Sequence, residues 1–165
     1  MIAAILMTMI LEMNSGPWQT VNDGVMGGMS SSRMVTAADV LNFEGLLSLE
    51  NNGGFASVRR LVDADLSQAT GVRLEVRGDG RTYQFRLRQN DRFDGVAWRA
   101  EFTATEAWQI VELSFDEFIP VFRGRRVPEA GQVVPASIRQ VGFMLADKTP
   151  GPFKLEIRLI EFGTK

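Results

Sequence analysis

The sequence predicts an all-β fold, a two-sheet antiparallel β-sandwich of jelly-roll type. Short segments alternate apolar and polar residues with period two, the pattern of half-buried strands. These segments are separated by turns rich in Gly, Pro, Asn and Asp, and no stretch supports a helix of several turns. A chain of 165 residues with 45% hydrophobic content is the size of one domain, read here as 1-165, and holds enough apolar side chains for one core.

Taken in order, MIAAILMTMIL has only Thr8 polar. It is too short to span a bilayer and lacks the positive leader and cleavage site of a secretory signal, so it reads as a buried first strand, with a truncated targeting sequence and a hydrophobic contact with a partner as the alternatives. In LNFEGLLSLE, Leu41 and Phe43 share a face, and Gly45 is expected as a bulge before Leu47 and Leu49 resume it. GVRLEVRG points Val72, Leu74 and Val76 inward, and YQFRLRQN does the same with Tyr83, Phe85 and Leu87. With Asp79-Gly80 between them, the two read as a hairpin. VAWRAEF sets Val96, Trp98, Ala100 and Phe102 against Ala97, Arg99 and Glu101, while WQIVELSF sets Val111, Leu113 and Phe115 against Ile110 and Glu112. QVGFMLAD and GPFKLEIRLIEF complete the strands, the latter with Phe153, Leu155, Ile157 and Leu159 on one face and Lys154, Glu156, Arg158 and Ile160 on the other. Helical signal is confined to a turn near Asp63 and Asp65 and one turn opened by Pro135. Trp18, Trp98 and Trp108 read mainly as core anchors.

Composition narrows the chemistry. The chain has no Cys and no His, which removes thiolate nucleophiles, Cys-based metal sites and the usual general base near neutral pH. Twenty acidic residues against 18 basic ones leave a net charge of -2, too little to gather nucleic acid. Three of the 18 cations are Lys, leaving 15 Arg, a bias that suits shape-specific recognition of carboxylate or phosphate. No cofactor and no metal are expected. Asn90, Asp91 and Asp94 offer oxygen ligands without the spacing of a calcium loop, and Glu75 with Glu101 is a formal acid pair for glycoside hydrolysis.

Two stretches stand out. VNDGVMGG, with Asn22, Asp23, Gly24, Gly27 and Gly28, fits neither the Walker nor the dinucleotide fingerprint. It reads as a ligand nest or, more plainly, as tight turns in which Asn22 or Asp23 bonds the local backbone and Gly27 and Gly28 take positive φ. FIPVFRGRRVP places Arg123, Arg125 and Arg126 around Gly124. It is either a rigid loop presenting guanidinium groups to an anionic partner or a long connection whose arginines pair with Asp116, Glu117 and Glu129. A row of outward polar residues, Arg86 and Arg88 among them, fits a solvated face more simply than a sugar-binding one.

WQTVNDGVMGGMS, NNGGFASVR, YQFRLR, FIPVFRGRRVP, QVGFMLADK and GPFKLEI occur in order over residues 18-157. Together they resemble the complex I intermediate-associated protein 30 family. The resemblance implies a galactose-binding-like jelly roll and a role akin to that of the mitochondrial members, assembly factors for NADH:ubiquinone oxidoreductase. It implies no catalytic set. The expectation is therefore a non-catalytic protein-binding or assembly module whose partner is a protein, subunits of a membrane redox complex being one choice. Its binding candidates are Asn22, Asp23, Gly24, Gly27, Gly28, Arg86, Arg88, Arg123, Gly124, Arg125 and Arg126. A carbohydrate-binding module using a concave sheet face and a carboxylate-based or nucleotide-using enzyme are the alternatives. The short N-terminus, set against longer mitochondrial members, suggests a minimal bacterial protein in the cytoplasm or at the periphery of the inner membrane.

Overall fold

The computed structural model describes residues 8-12 and 16-164. Two antiparallel sheets face each other across one layer of apolar side chains, a jelly-roll sandwich. The first sheet runs β3 (Ser31–Ala37), β4 (Val40–Leu47), β13 (Gly151–Gly163), β6 (Gly71–Arg77) and β9 (Gln109–Ser114), with β1 (Met9–Ile10) added along β13. The second runs β11 (Arg125–Arg126), β10 (Ile119–Phe122), β8 (Ala97–Thr103), β7 (Thr82–Arg88), β12 (Gln140–Leu145), β5 (Ala56–Leu61) and β2 (Gln19–Thr20). Of the apolar N-terminal stretch, Met9 and Ile10 pair with Phe162 and Glu161 as the first strand, but it is not the buried strand expected, Met9 being half-buried and Ile10 exposed, and residues 1-7 lie outside the described residues.

Alternation explains which side chains meet. Leu41, Phe43, Leu74, Val76, Leu155 and Ile157 come from the first sheet, and Tyr83, Phe85, Leu87, Phe143 and Leu145 from the second, all fully or almost fully buried. The rings mesh edge to face, Phe43 on Phe153 at 5.0 Å and Phe85 on Phe143 at 5.3 Å between centroids. Each such large side chain removed from water contributes roughly 2 kcal/mol before entropy is charged against it.

The expected hairpin around Asp79-Gly80 is not one. β6 belongs to the first sheet and β7 to the second, so the Gly78-Arg81 link crosses the sandwich. It runs beside the return crossing at residues 104-105, held by Gly78 N–H to the Thr105 carbonyl and Gly80 N–H to the Ala104 carbonyl, both 2.7 Å. Crossing lets Val72, Leu74 and Val76 face Tyr83, Phe85 and Leu87 across the core; a hairpin would have laid both sets side by side in one sheet.

Three smaller expectations also change. Gly45 is no bulge: pairing with β3 runs in unbroken register through Ser32 opposite Gly45. Glycine is required there because a Cβ would sit 2.0 Å from the Ser31 carbonyl oxygen. The bulge lies instead between Ile157 and Leu159, and it turns Ile160 and Phe162 into the core, so Leu159 and Ile160 exchange their expected faces. Trp98 is a core anchor, its indole N–H donating to the Gly131 carbonyl at 3.0 Å. Trp108 is not: it is half-buried, its ring flanked by Arg158 at 4.1 Å and Arg77 at 4.7 Å.

Candidate functional site

The VNDGVMGG loop is built around a buried carboxylate. A 3-10 turn covers Asp23–Met26 and is closed by Gly27 at φ 86. Asp23 is fully buried and accepts from the Ser30 N–H at 2.9 Å, the Ser30 hydroxyl at 2.6 Å, the Gly54 N–H at 2.7 Å and the Phe55 N–H at 3.3 Å. Burial alone would push its pKa up, yet these donors hold it below the ordinary Asp value. Asn22 repeats the motif one residue earlier, its side-chain oxygen accepting from the Ser32 hydroxyl at 2.7 Å and the Ser57 N–H at 3.0 Å. Ser30 leads into β3 and Phe55 into β5, so the pair stitches the edge strand of the first sheet to the strand next to the edge of the second.

Of the glycines, Gly27 has the expected positive φ; Gly28 does not. Gly28 and Gly53 are small for another reason, since a Cβ on either would lie within 2.6 Å of the Asp23 carboxylate. Gly24 has open space around its Cα. With the oxygens of Asn22 and Asp23 occupied by the chain's own donors, the loop presents apolar side chains outward: Val25 is 63% exposed, Met26 65% and Met29 59%.

FIPVFRGRRVP is a tight hairpin, not a long connection. Arg123 at φ 49 and Gly124 at φ 78 form a two-residue turn between β10 and β11, with Phe122 opposite Arg125 and Val121 opposite Arg126. The pairing expected with Asp116, Glu117 and Glu129 is replaced by one ion pair, Arg123 with Asp94 at 2.8 Å. Arg125 and Arg126 form no ion pair with a described residue.

Arg86 and Arg88 lie elsewhere, on the outer face of the seven-stranded sheet. Register places Arg99, Arg86, Gly142 and Arg59 in one row across β8, β7, β12 and β5. Arg86 donates to the Gln84 side-chain oxygen at 2.7 Å and to the Met144 sulfur at 3.4 Å; Arg88 donates to the Gly95 carbonyl at 2.9 Å, and Arg59 to the Phe93 carbonyl at 2.6 Å. Of these four, Arg99 alone meets a carboxylate among the described residues, that of Glu101 at 2.6 Å. Burial and the neighbouring guanidiniums push Arg86 down to about 9, and burial with Arg88 pushes Arg59 down to about 10. Arg126 reaches the margin of this face, lining a shallow recess with Arg99 and Glu101. Arg59 was not among the residues expected to bind; its outward position on β5 is the signal that alternation in ASVRRL carries.

The structure keeps the expected residues in three places: the Asp23 loop, the Arg123 hairpin and the arginine face. It also separates the formal acid pair, with Glu75 on the outside of the first sheet and Glu101 on the outside of the second. Among the described residues no cluster of acidic side chains is placed to hold a metal ion, and no helix is long and apolar enough to cross a membrane.

A family model described as Complex I intermediate-associated protein 30 matches residues 11–157. Over 106 residues, 61% of the chain, it is 36% identical to the Mus musculus protein named Complex I intermediate-associated protein 30, mitochondrial, covering 32% of it. The Drosophila melanogaster protein of that name is 30% identical over 109 residues, 61% of the chain and 36% of that protein. The matched segments thus cover about a third of these relatives' length. Among solved structures, the Family 11 carbohydrate-binding module from Clostridium thermocellum, in complex with a β-1,3-1,4-mixed-linked tetrasaccharide, superposes with a TM-score of 0.71 at 18% identity, covering 97% of this chain and 96% of that one. At that identity the likeness is one of fold, the galactose-binding-like jelly roll.

Proposed function

The chain belongs to the Complex I intermediate-associated protein 30 family, and on that premise we propose that it is a non-catalytic protein-binding module that engages an assembly intermediate of respiratory complex I. The observation that carries the reading is the Asp23 loop. A buried carboxylate with four donors holds a short turn rigidly, and what it displays is three exposed apolar side chains, Val25, Met26 and Met29. Preorganised apolar groups suit a protein surface, because little ordering entropy is left to lose on binding, and Met adapts to irregular contacts. Peripheral attachment to the membrane that holds the complex follows from such a partner.

The carbohydrate reading has the fold in its favour and less in the residues. Sugar platforms need flat aromatic faces beside polar groups. The outer face of the seven-stranded sheet instead carries guanidiniums, with Phe93 at its rim and half exposed.

The test is capture of tagged protein from the membranes and cytosol of its own cells, with complex I subunits quantified by mass spectrometry. Wild type should enrich them, and a Val25→Ser, Met26→Ser, Met29→Ser variant with unchanged melting temperature should recover about tenfold less. If folded wild type enriches no complex I subunit, the proposal fails.

A further inference from the structure

The seven-stranded sheet turns outward a set of arginines, of which Arg99 alone has an ion pair among the described residues, with Glu101. Arg99 and Arg86 sit directly opposite each other across β8 and β7, a like-charge pairing that costs stability in a sheet. Arg59 follows in the same row beyond Gly142, and Arg88 lies two residues along β7. Among the described residues, Arg59, Arg86 and Arg88 form no ion pair; their hydrogen-bond acceptors are carbonyls, an amide and a sulfur. The acid within electrostatic reach of Arg59 and Arg88 is Asp94, and its carboxylate is engaged with Arg123.

Gly142 gives this row its shape. Adjacent strands lie about 4.8 Å apart, so the stems of Arg86 and Arg59 rise about 10 Å from each other with no side chain between them. Gly142 is buried, so a carboxylate enters over it by drawing Arg86 from Gln84 and Met144 and Arg59 from the Phe93 carbonyl, after which both guanidiniums can donate to it. Two apolar residues flank the row: Phe93, whose ring lies 4.9 Å from the Arg59 guanidinium, and Leu61, 61% exposed and beside Gln140 in the row of Arg88.

We propose that the outer face of the seven-stranded sheet is a docking surface for an acidic protein segment, in which Glu or Asp carboxylates pair with Arg59, Arg86 and Arg88 while neighbouring apolar side chains rest on Phe93 and Leu61. Charge complementarity selects the occupant: unneutralised guanidiniums select carboxylates, and the exposed Phe and Leu select a segment that alternates them with apolar residues. The inference rests on the reading of the chain as a protein-binding module and assigns that module a second contact, apart from the Val25 loop.

The experiment uses fluorescence anisotropy with a fluorescein-labelled Glu-Leu repeat peptide, a Gln-Leu repeat of equal length and a sulfated heparin hexasaccharide. The Glu-Leu peptide should bind, more weakly as salt rises, and the Gln-Leu peptide should not. Arg59→Gln with Arg86→Gln should raise Kd about tenfold or more, whereas Arg73→Gln with Arg158→Gln on the opposite face should leave it unchanged. A measurement on wild type alone guards against misfolded variants: bound peptide should protect Arg59 and Arg86 from phenylglyoxal, read by mass spectrometry. Equal affinity in the Arg59 and Arg86 variant, absence of protection, or tighter binding of the hexasaccharide than of the peptide would each overturn the proposal. Failure of the parent reading looks different. If the arginine variant captures complex I subunits as wild type does, the face proposal falls and the module stands; if peptide binds here but capture returns no such subunit, the converse holds.

Discussion

The two outer faces of the sandwich are made from the same kinds of residue and treat charge in opposite ways. On the six-stranded sheet each central arginine finds an acid across a strand: Arg73 meets Glu112 at 2.8 Å and Glu161 at 3.7 Å, Arg77 meets Glu156, and Arg158 meets Glu75. Glu156 and Glu75 are accordingly held below the usual carboxylate range, chiefly by hydrogen bonds from Arg77 and Arg158. On the seven-stranded sheet Arg86 faces Arg99 on one side and Gly142 on the other. What separates a solvated face from an interaction surface here is therefore register, which decides whether the neighbour of an arginine is an acid or another arginine. Natural sequences retain such local conflict where function gains from it.

The largest way to break this comparison is to let the two sheets part at the edge they share. Asp23→Ala removes a carboxylate that serves four donors bordering β3 and β5, leaving those donors without their acceptor in a closed site. A loss of about 3 kcal/mol is expected, read as a melting temperature lower by roughly 6 to 12 °C. The pH dependence has a definite sign. Because the folded pKa of Asp23 lies below its ordinary value of 3.8, its contribution is present above that value and lost as pH falls through the folded one. Acid titration of wild type against Asp23→Ala by circular dichroism should show the two stabilities converging only below about pH 4.

Next in size is a matched pair of glycines, one in each sheet. A Cβ at Gly45 would lie 2.0 Å from the Ser31 carbonyl oxygen, and one at Gly142 would lie 2.6 Å from that of Val58. Both neighbours are backbone and cannot rotate away. Gly45→Ala should cost about 2 to 3 kcal/mol and Gly142→Ala about 1 to 2 kcal/mol in urea unfolding. Only Gly142→Ala should also weaken the Glu-Leu peptide, since its methyl group enters the interval between Arg86 and Arg59. Equal peptide affinity in Gly142→Ala and wild type would show that the interval is not where the carboxylate sits.

How much of this could be read beforehand follows from what period two encodes. Alternation says which side chains of a strand face inward, and it placed Leu41 and Phe43, Val72 to Val76, and Tyr83 to Leu87 in the core where the structure has them. It says nothing about which strand lies alongside, so GVRLEVRGDGRTYQFRLRQN read as a hairpin when its halves belong to different sheets. A bulge at Arg158 is equally silent in the sequence, because a single extra residue leaves the run of apolar and charged residues intact while reversing every face beyond it. The turn chemistry of VNDGVMGG was visible in its Asn, Asp and Gly. The far donors of Asp23 were not, since Gly54 and Phe55 follow it by more than thirty residues. The arginine face was half visible for the same reason: Arg86 and Arg88 point outward by alternation, but Arg59 and Arg99 become their neighbours only through register.

The smallest effect is also the one that separates the two faces by sign. Replacing Arg77 with Met removes a cation that its partner Glu156 stabilises, so the melting temperature should fall or hold. Replacing Arg86 with Met removes a cation disfavoured by burial and by Arg88, Arg99 and Arg59, so it should rise, by an amount on the order of 1 kcal/mol or about 3 °C, while peptide binding weakens. The pH dependence distinguishes this cause from better packing of Met. A guanidinium whose folded pKa is depressed to about 9 from an ordinary 12.5 imposes its full cost below the folded value, and that cost is relieved as pH rises through it. The advantage of Arg86→Met over wild type should therefore be constant up to about pH 8 and shrink as pH is raised further, whereas a packing gain would persist. Urea titrations of both proteins across that range decide it, and an advantage that does not shrink would mean that charge is not what makes this face costly.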